Sequence, residues 1–206
     1  VAIIMQKSGI PDIDQANCLI KLESDGTFIV QSGGADIGTG LDTVVAKLTA
    51  EVLHCPLSDV QVISGDTDSA LFDKGAYASS GTCFSGNAAR KAAENLRDKI
   101  LFHGAEMLKE PLADVIIAAP GVVRGMSGEV SFGDIAHLGE TGTGFGALSA
   151  TACYITPDFA FPYGANFVEL GVNTRTGEIR LDKFYALLDC GTPVNPELAL
   201  GQIYGA

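Results

Sequence analysis

Asp73 to Ala89 reads DKGAYASSGTCFSGNAA and leads into the longest helical pattern of the chain. From Gly75 to Gly86, nine of twelve residues are Gly, Ala, Ser or Thr, so little side-chain bulk surrounds the backbone N–H groups. The pattern that follows predicts a helix from Asn87 to Leu108. One face of this helix is apolar and is formed by Ala88, Ala92, Leu96 and Ile100.

A loop of small residues that opens a helix is typical of two kinds of structure. The free N–H groups and the dipole of a helix N-terminus suit a phosphate group. The same composition also suits a tight turn that lets a helix pack close to a sheet. Composition alone leaves both interpretations open for Gly75–Gly86.

A second glycine-rich loop, Gly33 to Gly40, also precedes a helical pattern. The apolar stripe of that helix is formed by Leu41, Val44, Val45, Leu48 and Val52, and Pro56 is expected to end it. The loop lacks the Gly-Lys-Ser/Thr of a phosphate-binding P-loop and does not match the dinucleotide-binding fingerprint. A strand, a glycine loop and a helix in succession are therefore weak evidence of function by themselves.

Alternating apolar and polar residues predict two β-hairpins. The first pairs Asn17–Glu23 with Thr27–Ser32, and the second pairs Ala165–Asn173 with Glu178–Asp189. We also expect shorter strands at Val60–Ser64, Ala113–Ala119, Val122–Arg124, Glu129–Ser131 and Ala147–Ile155. A short helix is expected from Phe132 to Leu138 and another helix after Pro196, with a flexible linker at Thr141–Gly146. The pattern indicates an α+β fold, in which hairpins and sheets mix with packed helices.

Composition excludes several classes of protein. The chain has 206 residues and a net charge of −12 without any Lys/Arg cluster, which argues against nucleic acid as a partner. No apolar run reaches the length of about 18 residues that a membrane span needs. The five cysteines are scattered without a CxxC pair and, in the absence of a signal peptide, indicate reduced thiols in a cytoplasmic protein.

Metal ligands are not evident in the sequence. HExxH is absent, and the three histidines stand apart from one another. Asp66 and Asp68 form an Asp-x-Asp pair, but aspartates in turns usually cap their own backbone. We therefore predict no metal site and name no metal ligand.

Three segments in order resemble the molybdenum-binding subunit of the xanthine dehydrogenase/aldehyde oxidase family, the molybdenum hydroxylases. Gly33–Leu41 is similar to that family's GGxxxGQG loop and helix, and Gly75–Ala88 to its small-residue loop at the pterin. Asp189-Cys190-Gly191, with Asn195-Pro196 and Gly201–Gly205, is similar to its D-x-G, NP and GQ-x-x-G segment. The resemblance runs the length of the chain and implies a molybdenum cofactor-binding domain fold.

The resemblance also implies a cofactor and its contacts. The cofactor is molybdopterin with molybdenum, held as its cytosine dinucleotide. By position in the matching loops, the cofactor-binding residues are Gly38, Thr39, Gly40, Tyr77, Ala78, Ser79, Ser80, Gly81, Thr82 and Gln202. Thr39 stands where the family usually has Gln, and its shorter side chain reaches less far.

A molybdenum hydroxylase inserts water-derived oxygen into a C–H bond of a purine-like heterocycle or an aldehyde. Its electrons pass to [2Fe-2S] clusters and FAD on partner subunits or domains. The family's catalytic base is a glutamate in a Gly-Glu-Pro-like segment, which this chain lacks, so we name no catalytic residue. We expect residues 1–206 to be one fragment of a longer molybdenum subunit, inactive alone and divisible near 139–147 into 1–140 and 147–206.

Two other functions stay open at this point. The chain could belong to a relative that keeps the fold but serves as a structural or cofactor-delivery subunit, as the threonine at position 39 would allow. It could also belong to an unrelated enzyme that binds phosphate at Gly75–Gly86.

Overall fold

The computed structural model describes residues 1–118, 120–141 and 145–205, and its centre is a four-stranded mixed sheet. The strand order is β4–β3–β2–β8, in which β3 and β4 are parallel and the other neighbours are antiparallel. These strands are β2 (Ala16–Leu22), β3 (Phe28–Ser32), β4 (Val60–Ser64) and β8 (Ser149–Tyr154). The first predicted hairpin is confirmed, because β2 pairs with β3 around the tight turn at Gly26.

Helix α1 (Leu41–Leu53) connects the two parallel strands β3 and β4. It packs with its predicted apolar stripe inward, so Leu41, Val44 and Val45 are buried. The helix ends at Leu53, before Pro56, because His54 adopts a left-handed conformation and closes the last turn. A 3-10 turn (Leu57–Asp59) then leads into β4.

Helix α2 (Gly81–Leu108) packs against α1, β2 and β8. Its predicted apolar face is confirmed, since Ala88, Ala92, Leu96 and Ile100 are completely buried. The predicted start at Asn87 is wrong, because the helix begins at Gly81. The reason is tertiary packing: a Cβ added at Gly86 would lie 3.1 Å from Leu48, so glycine lets α1 approach closely and offsets its poor helix propensity.

A small antiparallel sheet lies beside the C-terminal half of α2. Its strands are β5 (Ile116–Ala118), β6 (Val122–Arg124) and β7 (Glu129–Ser131), and α3 (Phe132–Thr141) follows. The strand predicted at Ala113–Ala119 is partly wrong, because Leu112–Asp114 forms a 3-10 turn, and Ala119 lies outside the described residues. The predicted linker also falls largely outside the described residues, at positions 142–144.

The third sheet joins the two ends of the chain. Strand β9 (Tyr163–Val172) pairs with β10 (Ile179–Asp189) in the second predicted hairpin, which is confirmed, and with β1 (Ala2–Met5) on its other side. The division proposed near 139–147 stays a prediction; β8 and β9 both pair with strands that precede it.

Helix α4 (Pro196–Gly205) completes the described chain. Among the described residues, no helix combines the length and the apolar character that a membrane crossing requires.

Candidate functional site

A cavity of about 740 Å³ lies between segments that are far apart in the sequence. Residues 37–39, 76–90 and 190–202 contribute to its lining, and residues 160–162 lie at another side. Its size falls within the range of small-molecule and cofactor sites, about 300–1,000 Å³. The structure therefore brings together parts of all three segments that carry the family resemblance.

In the first glycine loop, several backbone N–H groups already donate hydrogen bonds to a side chain of the same loop. The carboxylate of Asp36 accepts hydrogen bonds from the N–H groups of Gly38 (2.9 Å), Gly40 (3.1 Å) and Asp42 (3.3 Å). Burial alone would raise the pKa of Asp36, but these amides outweigh it and the pKa is lowered from its ordinary value of 3.8. The N-terminus of α1 thus holds an anion from its own loop, and Gly38 and Gly40 do not line the cavity.

Thr39 is the predicted residue of this loop that lines the cavity. Beside it, Gly40 has a φ of +80° and lies against α4. A Cβ at Gly40 would stand only 2.4 Å from Leu198, so glycine is required for α4 to close over the loop.

The second loop contains two residues in an unusual backbone conformation. Ala78 and Ser79 are consecutive and both left-handed, with φ values of 50° and 56°. Such conformations cost non-glycine residues roughly 1–3 kcal/mol each and persist only where neighbouring structure holds them. Two contacts do so: the N–H of Gly9 donates to the carbonyl of Ala78 (2.7 Å), and Gln6 Nε2 donates to Ser79 Oγ (2.6 Å).

Tyr77 lies near the buried carboxylate of Asp14. Asp14 is 1% exposed and accepts a hydrogen bond from the N–H of Ile10 at 2.7 Å. The nearby Asp14 carboxylate raises the pKa of Tyr77. Neither Tyr77 nor Ala78, which were both predicted as cofactor contacts, lines the cavity.

The remaining residues of this loop form the start of α2. Ser79, Gly81 and Thr82 line the cavity. Ser80 is buried, and its hydroxyl donates to the carbonyl of Gly75 (3.2 Å) instead of capping the helix. Ser80 makes no side-chain cap at the N-terminus of α2, and none of the described residues supplies that end with the internal anion that α1 has.

The third segment adds Gln202, the last of the predicted residues, from helix α4. The Asn195 carboxamide orients the start of this helix by accepting a hydrogen bond from the N–H of Leu198 (3.3 Å). The loop 190–194 before it also lines the cavity. The predicted residues that meet around the cavity are Thr39, Ser79, Gly81, Thr82 and Gln202.

Other polar residues were not predicted as contacts. Asn87 and Arg90 line the cavity from α2, and the loop 190–194 lines it from the opposite part of the sequence. A signal for the first two was available: Cys83, Asn87 and Arg90 follow one another at helical spacing, on a different face from the buried alanines.

Metal-ligating chemistry is weak in the described part of the chain, which contains no group of three or more His, Cys, Asp or Glu that could hold an ion. Asp66 caps its own turn by accepting from the N–H of Asp68 (3.0 Å) and from the hydroxyl of Ser69 (2.9 Å). All five cysteines are free, and Cys83 and Cys190 line the cavity. Burial, and then the charge of Asp14, raises the pKa of Cys83, so its thiol stays neutral.

The groups that line the cavity are suited to binding a ligand and not to proton transfer. Its lining offers hydroxyl, amide and carboxamide groups together with one guanidinium, and none of the described lining residues is a carboxylate or a histidine. Since no proton acceptor of the usual type faces the cavity, the described residues supply no general base.

Comparisons with known proteins agree with this geometry. A family model described as "Molybdopterin cofactor-binding domain" matches residues 1–206. The chain is 87% identical over 206 residues to the "Probable hypoxanthine oxidase XdhD" of Escherichia coli strain K12, of which it covers 22%. It is 34% identical over 201 residues to the "Xanthine dehydrogenase molybdenum-binding subunit" of Escherichia coli O157:H7, of which it covers 26%.

Among solved structures, the chain superposes on a Cu,Mo-CO dehydrogenase with a TM-score of 0.89 and 25% sequence identity. The superposition covers 99% of this chain and 27% of that one. The chain therefore spans only about a quarter of the length of the proteins that it matches.

Proposed function

This chain belongs to the molybdopterin cofactor-binding domain family, as a segment of a xanthine dehydrogenase-type molybdenum subunit, and we propose that its cavity binds the molybdopterin cofactor as the cytosine dinucleotide. The observation that carries the proposal is the convergence of three distant segments on one cavity. Each segment alone has an ordinary structural explanation, but their meeting around one space of about 740 Å³ does not follow from packing alone.

The residues present fit such a group. The lining combines neutral hydrogen-bond donors with a single cation and, among the described residues, no carboxylate that would repel a phosphate. Thr82 and Gly81 lie at a helix start that no side chain caps, where an anion is favourable. At Gly40 the first loop lies close to Leu198 of α4, which itself lines the cavity.

When bound, the cofactor supplies a two-electron oxidation that converts a C–H bond and water into a C–OH bond, two protons and two electrons. The residues of this chain contribute position. Thr39, Ser79, Thr82 and Gln202 would hydrogen-bond the cofactor and fix its orientation. Because no base faces the cavity, the proton acceptor comes from another part of the longer protein, and we expect the isolated segment to be inactive.

A purine is the substrate class that the comparisons favour. The support is the high identity to a protein described as a probable hypoxanthine oxidase. Electrons would pass to [2Fe-2S] and FAD centres on partner subunits or domains, since the 34% identical relative is described as one subunit. The cytoplasmic location inferred from the reduced cysteines stays a prediction.

The hairpin β9–β10 has an exposed apolar face on which another part of a longer protein could pack. One face of its outer half is wholly apolar: Val168, Leu170 and Val172 lie opposite Phe184, Leu181 and Ile179. Each of these six side chains is at least 37% exposed. The other face carries the ion pairs Lys183–Glu169 and Arg180–Asp182. We propose that the rest of the molybdenum subunit, which is several times longer than this chain in relatives, covers the apolar face.

The competing function is a structural or cofactor-delivery subunit, which Thr39 would suit. The two functions differ in what the purified protein contains and does. We would purify the full-length protein with its partner subunits, measure molybdenum and pterin content, and assay hydroxylation of hypoxanthine. Stoichiometric molybdenum and pterin with activity support the hydroxylase. Cofactor without activity supports the delivery function, and an intact complex without molybdenum or pterin contradicts both.

A further inference from the structure

Arg90 is the charged residue of the cavity. Of the described residues that line the space, it alone carries a formal charge. The chain contains 25 acidic residues and has a net charge of −12, yet no acidic residue is part of this lining. The described lining therefore contains a cation and no anion, which favours an anionic ligand over a cationic one.

The guanidinium of Arg90 is held in place by its own helix. Its Nε donates to Asn87 Oδ1 (3.3 Å), and its Nη1 donates to Glu94 Oε1 (2.8 Å). Asn87 is itself oriented, because its amide donates to the carbonyl of Cys83 at 2.7 Å. Within the described part of the chain, Nη2 makes no hydrogen bond. Two of the three nitrogens thus fix the group, and the third remains available to a ligand.

Glu94 pairs with Arg90 from outside the lining of the cavity. It lies one turn beyond Arg90 on α2 and is not part of the lining. An Arg–carboxylate pair between partly exposed side chains is weak, about 0–1 kcal/mol. A phosphate group at Nη2 would therefore gain a charge-assisted hydrogen bond while the existing pair holds the fork in position.

We propose that Arg90 binds the phosphate or pyrophosphate group of the cofactor in this cavity. The inference rests on the function proposed above and adds the residue that recognises the cofactor's charge. A guanidinium is suited to the task, since it is always protonated and its planar fork matches phosphate oxygens. The neutral donors of the lining then contact the uncharged parts of the cofactor.

The first test measures cofactor release. Full-length protein would be prepared as wild type, Arg90→Ala, Arg90→Lys and Arg97→Ala, and the rate of pterin release would be followed by fluorescence. Arg97 is the matched control, because it lies on α2, pairs with Asp98 and does not line the cavity. We expect release about tenfold faster or more for Arg90→Ala, an intermediate rate for Arg90→Lys, and the wild-type rate for Arg97→Ala. Equal rates for all four proteins overturn the proposal.

The second test does not depend on the cofactor. Inorganic pyrophosphate would be titrated calorimetrically into cofactor-free full-length protein, wild type and variants. We expect binding that weakens about tenfold in Arg90→Ala and is unchanged in Arg97→Ala. Binding that does not differ between wild type and Arg90→Ala contradicts the role of Arg90. If the purified wild-type protein contained no pterin, the proposed function would be wrong. The pyrophosphate titration would still show whether Arg90 forms an anion-binding site. Thermal melting identifies any variant that fails to fold, and Arg90→Lys then provides the comparison.

Discussion

The N–H of Gly9 donates a hydrogen bond to the carbonyl of Ala78 over 2.7 Å, and so joins the segment after β1 to the strained loop beside the cavity. Gly9 itself has a φ of +77°, and a Cβ there would lie 2.2 Å from the ring of Phe84. Phe84 is buried and cannot move aside at low cost. The identity of residue 9 therefore determines whether the loop at Ala78 and Ser79 keeps its conformation.

We expect Gly9→Ala to destabilise the full-length protein by about 2–4 kcal/mol, through the left-handed backbone and the collision with Phe84. Urea denaturation measures the change. Gly177→Ala is the matched control, since its φ is +75° and open space surrounds its Cβ position. It should cost only about 1 kcal/mol, the backbone contribution. Equal losses at the two glycines would show that Phe84 is not a steric barrier.

Asp36 makes the stability of α1 depend on pH. Its folded-state pKa lies below the ordinary value of 3.8, so its stabilising contribution is present above that pH and disappears as the pH falls through the folded pKa. Asp36→Ala removes the acceptor for three amides and should cost about 1 kcal/mol at neutral pH.

The difference between wild type and Asp36→Ala should vanish in acid, and denaturation curves at several pH values measure it. Asp158→Ala, at an exposed aspartate, controls for general loss of charge and should change stability by less than about 0.5 kcal/mol at any pH. A wild-type advantage that persists at the lowest pH would mean that the carboxylate form is not what stabilises the loop.

Ala92 tests the packing of α2. It is completely buried in the face that meets the central sheet, so Ala92→Asp introduces a carboxylate without a partner. We expect a loss of about 3 kcal/mol or more in the free energy of unfolding, measured by chemical denaturation. The same replacement at exposed Ala113 is the control and should have a small effect. A similar loss of unfolding free energy for Ala92→Asp and Ala113→Asp would indicate that Ala92 is not part of the core.

Leu170 tests the covering of the hairpin face. It is 50% exposed in the described chain, so Leu170→Asp should matter only where another part of the protein packs on it. We expect a lower melting temperature and a loss of about 1–2 kcal/mol in the full-length protein. Lys183→Ala on the opposite face should be nearly neutral. An unchanged melting temperature for Leu170→Asp would indicate that this face is exposed to solvent in the full-length protein.

Local patterns predicted most of the secondary structure. Both hairpins followed from alternation and turn chemistry, and the buried face of α2 from the spacing of Ala88, Ala92, Leu96 and Ile100. Those signals are short in range and do not depend on the rest of the fold. The start of α2 was misplaced because the contact between Gly86 and Leu48 of α1 is tertiary.

The candidate site was only partly predictable. The family resemblance was confirmed, and it identified the segments that meet at the cavity. It did not indicate that Asp36 occupies the amides of Gly38 and Gly40, because this contact is set by the folding of the loop on itself. Nor did it indicate Arg90, whose role emerges only when the other lining residues are known to be uncharged.

The pairing of β9 and β10 shifts between Leu181 and Lys183, where Asp182 adds one residue to β10. The bulge absorbs this residue, so Leu181 and Phe184 lie on the same side of the hairpin and Lys183 lies on the other side, where it pairs with Glu169. If Asp182 were instead paired regularly opposite Glu169, the following residues would turn over and Lys183 would replace Phe184 on the apolar face. Loss of Asp182 would leave the pairs of Leu181, Lys183 and Phe184 in regular alternation, so the hairpin should accept a one-residue deletion at the bulge, and natural variants without this residue are expected to keep the same apolar face.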